Sequence, residues 1–224
     1  MTNTLHRYGN SKSFQDDFII FAIPSKGKND YQCIPRLKAF LKICVKYNPS
    51  NIGNGNRAGL APEKDLKPSA HWRRDIQVNW EKVIDGVIKP GTVSAVFTKQ
   101  LDARNCFKEV VAADFGLSIN MSSSVENAKL VAEQSGIQRH SIEYAVNVND
   151  PHHHLPNSQV LALSTMCGHG MVSFNMAKKM LDMVREGRRT SVQAAATLVR
   201  FCPCGVYNPV RAKRLIDDAC DEQR

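Results

Sequence analysis

Two short stretches concentrate sulfur beside glycine. STMCGHGMVS, residues 164–173, sets Cys167 and His169 among Gly168 and Gly170, and FCPCGVYNP, residues 201–209, sets Cys202 and Cys204 ahead of Gly205. Glycine lets a backbone adopt positive φ and approach a ligand closely. Soft thiolates select zinc and iron–sulfur clusters. The spacing Cys-x-His, then Cys-x-Cys, differs from the cysteine pairs of zinc fingers and ribbons and from the compact ferredoxin run. It points to one site in which Cys167, Cys202 and Cys204 are ligands and His169 is a fourth ligand or an acid/base, with Cys167 available to chemistry. Three thiolates and one open position suit a catalytic metal acting as a Lewis acid. An iron–sulfur cluster ranks before zinc as the expected cofactor, and lyase or oxidoreductase chemistry fits both.

Both loops precede a predicted helix start, where free N–H groups and the helix dipole favour anions, a thiolate or a small anionic substrate among them. Lys178 and Arg211 lie one turn into those helices. Arg73 and Arg74, in a long loop, are placed to close over the site. Ser122 and Ser123 fall where a strand meets a helix, the edge of an open α/β sheet at which ligands bind. DPHHHLP, residues 150–156, carries His152, His153 and His154 between turn residues and reads as a solvated turn, from which His154 could reach the cysteine loops. GNGNRAG, residues 53–59, lacks the lysine-serine ending of a phosphate loop and reads as a flexible loop.

Two other functions fit parts of the chain. MCGHG resembles the cysteine loop of proline racemases and hydroxyproline epimerases, and PCG at 203–205 is similar to the surroundings of their opposing cysteine. That resemblance implies a cofactor-independent thiol enzyme with Cys167 and Cys204 as acid and base on an amino-acid α-carbon. The alternative is a basic module, without catalysis, that binds nucleic acid or an acidic protein. Thirty Lys and Arg oppose 21 Asp and Glu, a net +9, and Trp72 beside Arg73 and Arg74 offers an aromatic next to cations. The basic residues are scattered, and no block of like charge marks a nucleic-acid tail.

Seven cysteines without a signal-peptide pattern argue against a disulfide framework and for a reducing, cytoplasmic setting. Cys33, Cys44 and Cys106 fall in helical patterns and read as buried packing thiols. No apolar run approaches the roughly 20 residues that span a bilayer, so no membrane partner is expected.

The elements that must hold these residues follow from periodicity. The expected fold is α/β: a layered sheet with alternating strands and helices over residues 1–170, then a C-terminal three-helix appendage over 171–224. Residues 1–17 form a polar surface arm, and 48–79 a long loop. Strands are predicted at 18–23, 91–98, 115–122, 141–148 and 158–165, and helices at 34–47, 99–114 and 122–136. Start signals are Ser123 with Glu126, Ser173, Thr190 with Gln193, and Asn208 followed by Pro209; Gly136 is a stop.

Overall fold

The computed structural model describes residues 7–61, 78–139, 141–143 and 154–222. Four strands form one antiparallel sheet: β1 (Phe18–Ile23), β2 (Asn51–Gly53), β3 (Val93–Phe97) and β4 (Ser118–Ser122), in the spatial order β2-β3-β1-β4. Helix α1 (Cys33–Val45) links β1 to β2, and α3 (Gln100–Ala112) links β3 to β4. Each pair so linked runs parallel with one antiparallel strand between, the split βαβ connectivity of ferredoxin-like sheets. Helix α2 (Trp80–Asp85) precedes β3 and α4 (Val125–Gln134) follows β4. Four more helices complete the described chain: α5 (Ser158–Ser164), α6 (Phe174–Arg185), α7 (Ser191–Val199) and α8 (Pro209–Asp221).

The sheet separates two cores. Phe18, Ile20 and Ala22 of β1, with Val93, Ala95 and Phe97 of β3, pack against α1 to α4. Ile19 and Phe21, with Val96, face α5 to α8. Burial on both faces explains why FIIFAI is apolar at nearly every position rather than alternating. The strand period of two also turns Ile52 of β2 toward the first core, leaving its neighbours Asn51 and Gly53 for the second face.

Local start and stop signals set many boundaries. Ser173 Oγ accepts from Met176 N, Thr190 and Gln193 complete a capping box, and Asn208 Oδ1 accepts from Val210 and Arg211 N–H before Pro209 opens α8. Gly136, at φ +70°, ends α4 with Ile137 N–H donating to Ala132 O, a Schellman closure.

Some expectations need correction. The strand expected at 158–165 is instead helix α5, Ser158–Ser164. Asn157 caps it, and Val160, Leu161, Ala162, Leu163 and Ser164 are all buried, so an apolar run enclosed on every side carried no period to tell helix from strand. The cap of α4 is Ser124, one residue beyond Ser123. The stretch 48–61 is not loop throughout. It contains β2, a three-residue edge strand, and a turn in which Asn54 Oδ1 accepts from Asn56 and Arg57 N–H. Residues 141–143 lie outside any strand, and the remainder of the 141–148 expectation lies outside the described residues.

The segment preceding β1 is fastened to the last helix. Asp17, fully buried, accepts from the guanidinium groups of both Arg7 and Arg211, and Asn208 Nδ2 donates to its second oxygen at 2.9 Å. The Arg211 guanidinium also lies 4.1 Å over the Phe14 ring.

Candidate functional site

The loop between α5 and α6 carries Cys167. Its N–H donates to Ser164 O at 3.3 Å, and its carbonyl accepts from Gly170 N–H at 3.0 Å. A positive φ of +69° at Gly170 allows that turn. The loop between α7 and α8 carries Cys202 and Cys204. It is pressed onto the sheet edge: Ser94 Oγ donates to Cys204 O at 2.7 Å, and Asn51 Nδ2 donates to Tyr207 O at 3.1 Å. Gly205 sits against the backbone of β2, where any Cβ would lie within 2.4 Å of Ile52 and Gly53 atoms. The second loop is thus fixed by strands that precede it by more than a hundred residues.

This docking brings the three sulfurs together. Cys202 Sγ and Cys204 Sγ are 3.4 Å apart, and Cys167 packs with both in one core cluster. All three residues are buried. The hydrogen bonds from Cys202 and then Cys204 hold the Cys167 thiol well below its ordinary range, against the opposing effect of burial, with further help from the Met171 and His169 N–H groups. Donating to Cys167 raises Cys202 well above the ordinary value and pushes Cys204 up to about 11. The three sulfurs titrate as one unit.

At the helix starts, Ser173 Oγ accepts from Met176 N–H and Asn208 Oδ1 from Val210 and Arg211 N–H, so these donors are already occupied.

Cys204 forms part of the wall of an open cavity of about 320 Å³, shared with His169, Asn54, Lys89, Thr92 and Ser94. Among the described residues no Asp or Glu lines it. His169 is exposed at this wall. Asn54, Gly55 and Asn56 of the glycine-asparagine stretch, read from sequence as flexible, form one side of it. Lys89, Thr92 and Ser94 were not anticipated, since nothing in their local pattern separates them from other strand-flanking residues.

Other candidates are placed elsewhere. Ser122 pairs with Ile19 on β4, the edge opposite to β2, and Ser123 Oγ donates to Asp17 O at 2.8 Å. Arg211 is fully buried: Nε donates to Ser13 O, Nη1 to Asp17, and Nη2 to Tyr8 O and Ser13 Oγ, so its guanidinium serves the N-terminal segment rather than an incoming anion. Lys178 is exposed on α6, whose buried face is Ala177, Met180 and Leu181. His154 is exposed; Arg73, Arg74, His152 and His153 lie outside the described residues. Cys33, Cys44 and Cys106 are buried in the core on the other side of the sheet.

Among the described residues, no group of three or more His, Cys, Asp or Glu side chains stands ready to hold a metal ion. The thiol cluster is drawn in on its own hydrogen bonds: zinc–sulfur bonds of about 2.3 Å place tetrahedral sulfurs about 3.8 Å apart, beyond the 3.4 Å between Cys202 and Cys204. Ligation there requires the sulfurs to separate by a few tenths of an ångström and the thiol ligands to be deprotonated. Among the described residues no helix is long and apolar enough to cross a membrane. The chain matches no known protein family, no curated protein and no solved structure.

Proposed function

We propose that the chain is an enzyme whose Cys167, Cys202 and Cys204 hold a thiophilic metal, an iron–sulfur cluster before zinc, and that it acts on a small anionic molecule in the adjoining cavity. The observation that carries this reading is the meeting of three sulfurs, from two separate loops, beside an open cavity. Thiolates are the ligands that such metals select. Three protein ligands leave one position for substrate. His169, on the cavity wall, is available as the fourth ligand or as an acid/base. Lys89, on the same wall, is a cation that would attract an anion.

The cofactor-independent racemase reading draws less support. Its two thiols must face one another across an amino acid. Here both are buried in one core cluster, and of the two only Cys204 lines the cavity.

Anaerobic purification without a histidine tag, followed by metal and acid-labile sulfide analysis and an absorption spectrum, tests the proposal. Iron with sulfide, lost in Cys202→Ser and Cys204→Ser, is the expected result. Zinc near one per chain would keep the site and change the cofactor. Protein that contains no metal and takes up neither iron with sulfide nor zinc would overturn the reading.

A further inference from the structure

We propose that Cys202 and Cys204 form a dithiol that reduces low-molecular-weight disulfides entering the cavity, closing in turn to a Cys202–Cys204 disulfide. This activity goes beyond the metal reading and belongs to the metal-free protein, in which all three sulfurs are unligated.

The geometry separates the roles of the two cysteines. Their sulfurs are 3.4 Å apart, so closure requires an approach of about 1.4 Å to reach the disulfide bond length. They sit on one loop with Pro203 between them, and that loop is clamped on β2 and β3 through Gly205 and Ser94. Cys204 is 8% exposed and lines the cavity, whereas Cys202 has no exposed surface. An incoming disulfide therefore meets Cys204 first, and Cys202 is positioned behind it as the resolving thiol.

Cys204 Sγ attacks one sulfur of RS–SR as its proton passes to the leaving sulfur. The S–S bond breaks, Cys204–S–SR forms, and the first RSH leaves. Cys202 Sγ then attacks the Cys204 sulfur, and its proton passes to the second leaving sulfur. The mixed disulfide breaks, the Cys202–Cys204 bond forms, and the second RSH leaves. The substrate disulfide gains two electrons and two protons and becomes two RSH. The protein loses two hydrogens. A disulfide closed across one intervening residue is strained, which makes it reducible and suits turnover rather than permanent bridging.

The full-length protein, stripped of metal with a chelator and verified metal-free, is treated with oxidised glutathione and, separately, with the neutral probe bis(2-hydroxyethyl) disulfide. Tryptic peptides are then weighed. The peptide spanning residues 201–211 contains both cysteines. The expected result is that this peptide loses two hydrogens at least about tenfold faster than Cys33, Cys44 and Cys106 react, following thiolate access. Cys202→Ser is expected to trap one RS group on Cys204, and Cys204→Ser to abolish the intrapeptide bridge. A cross-link between Cys167 and the 201–211 peptide, or modification confined to the half-buried Cys220, would overturn the proposal. So would an RS group trapped on Cys202 in Cys204→Ser at the wild-type rate. Because the protein is metal-free throughout, failure here leaves the metal reading standing, and failure of metal analysis leaves this one standing.

Discussion

Gly53 and Gly205 meet backbone to backbone: a Cβ on Gly53 would lie 2.6 Å from the Gly205 nitrogen, and one on Gly205 would lie 2.4 Å from the Gly53 nitrogen. The contact joins the edge strand β2 to the loop that carries Cys202 and Cys204. Neither partner can carry a side chain without parting the loop from the sheet.

Gly205 and Gly170 allow the contact to be weighed. Both have positive φ, +75° and +69°, and both belong to a cysteine loop. A Cβ at Gly170 meets nothing within 4 Å, whereas at Gly205 it strikes backbone. Gly170→Ala should cost about 1 kcal/mol, the left-handed backbone strain alone. Gly205→Ala should cost about 3 kcal/mol or more, strain plus overpacking. Urea denaturation of both variants checks the difference, and equal losses would mean the loop yields without separating from β2.

The alternation of strand and helix was readable because each helix carries its own start and stop chemistry. Asn208–Pro209 and Thr190 with Gln193 act on N–H groups within a turn of themselves, so a few residues suffice. Helix α5 and strand β2 were not readable for opposite reasons. The first is buried on all sides, and the second is three residues whose partner, β3, lies some forty residues on. In the candidate site, the likeness of the two glycine loops grouped Cys167 with Cys202 and Cys204. The cavity residues Lys89 and Ser94 gave no such sign, because only the sheet brings them to Cys204. Arg211 looked like an anion contact from its place near a helix start, but its actual partner, Asp17, is almost the whole chain away.

The thiol cluster should make stability depend on pH. Cys167 has a folded value below its ordinary 9.0, so its contribution is fully present above that ordinary value and is lost as pH falls toward the folded one. Within that window one proton separates the folded and unfolded states, a slope of about 1.4 kcal/mol per pH unit. Cys204, raised to about 11, acts in the opposite sense: its contribution is present below the ordinary value and is lost as pH rises through about 11. Metal-free protein should therefore gain stability between roughly pH 6 and pH 8, and Cys167→Ser should flatten that slope. Denaturation midpoints at several pH values, with the ultraviolet thiolate band followed in parallel, check both statements.

Asp17 should matter far more than its count of charges suggests. It is the one buried acid facing Arg7 and Arg211 in their ion pairs, and it also accepts from Asn208. Asp17→Asn leaves two buried guanidinium groups without a counter-charge, a loss of about 3–5 kcal/mol. Asp218, 3.3 Å from Arg214 with its side chain 58% exposed, is the control. Asp218→Asn should change stability by less than about 1 kcal/mol. Thermal unfolding of the two variants separates a buried network from a solvated pair, and similar shifts would mean that water reaches Asp17.

Cys44 and Cys106 form the second sulfur contact in the protein, at 3.7 Å, and the opposite result is expected of them. They join α1 to α3 in the core on the far side of the sheet, with no exposed surface on either. Burial, reinforced by the Cys106 thiol, raises Cys44 well above the ordinary thiol value. An enclosed thiol pair out of reach of solvent behaves as apolar filling. Cys106→Ala should cost about 1 kcal/mol for the cavity it leaves. It should leave the metal-to-protein ratio after anaerobic reconstitution unchanged, as well as the rate at which the 201–211 peptide forms its bridge. Parallel metal analysis and peptide mapping on this variant and on Cys202→Ser check the contrast. Loss of metal in both would mean that the sulfurs on the two sides of the sheet are not independent.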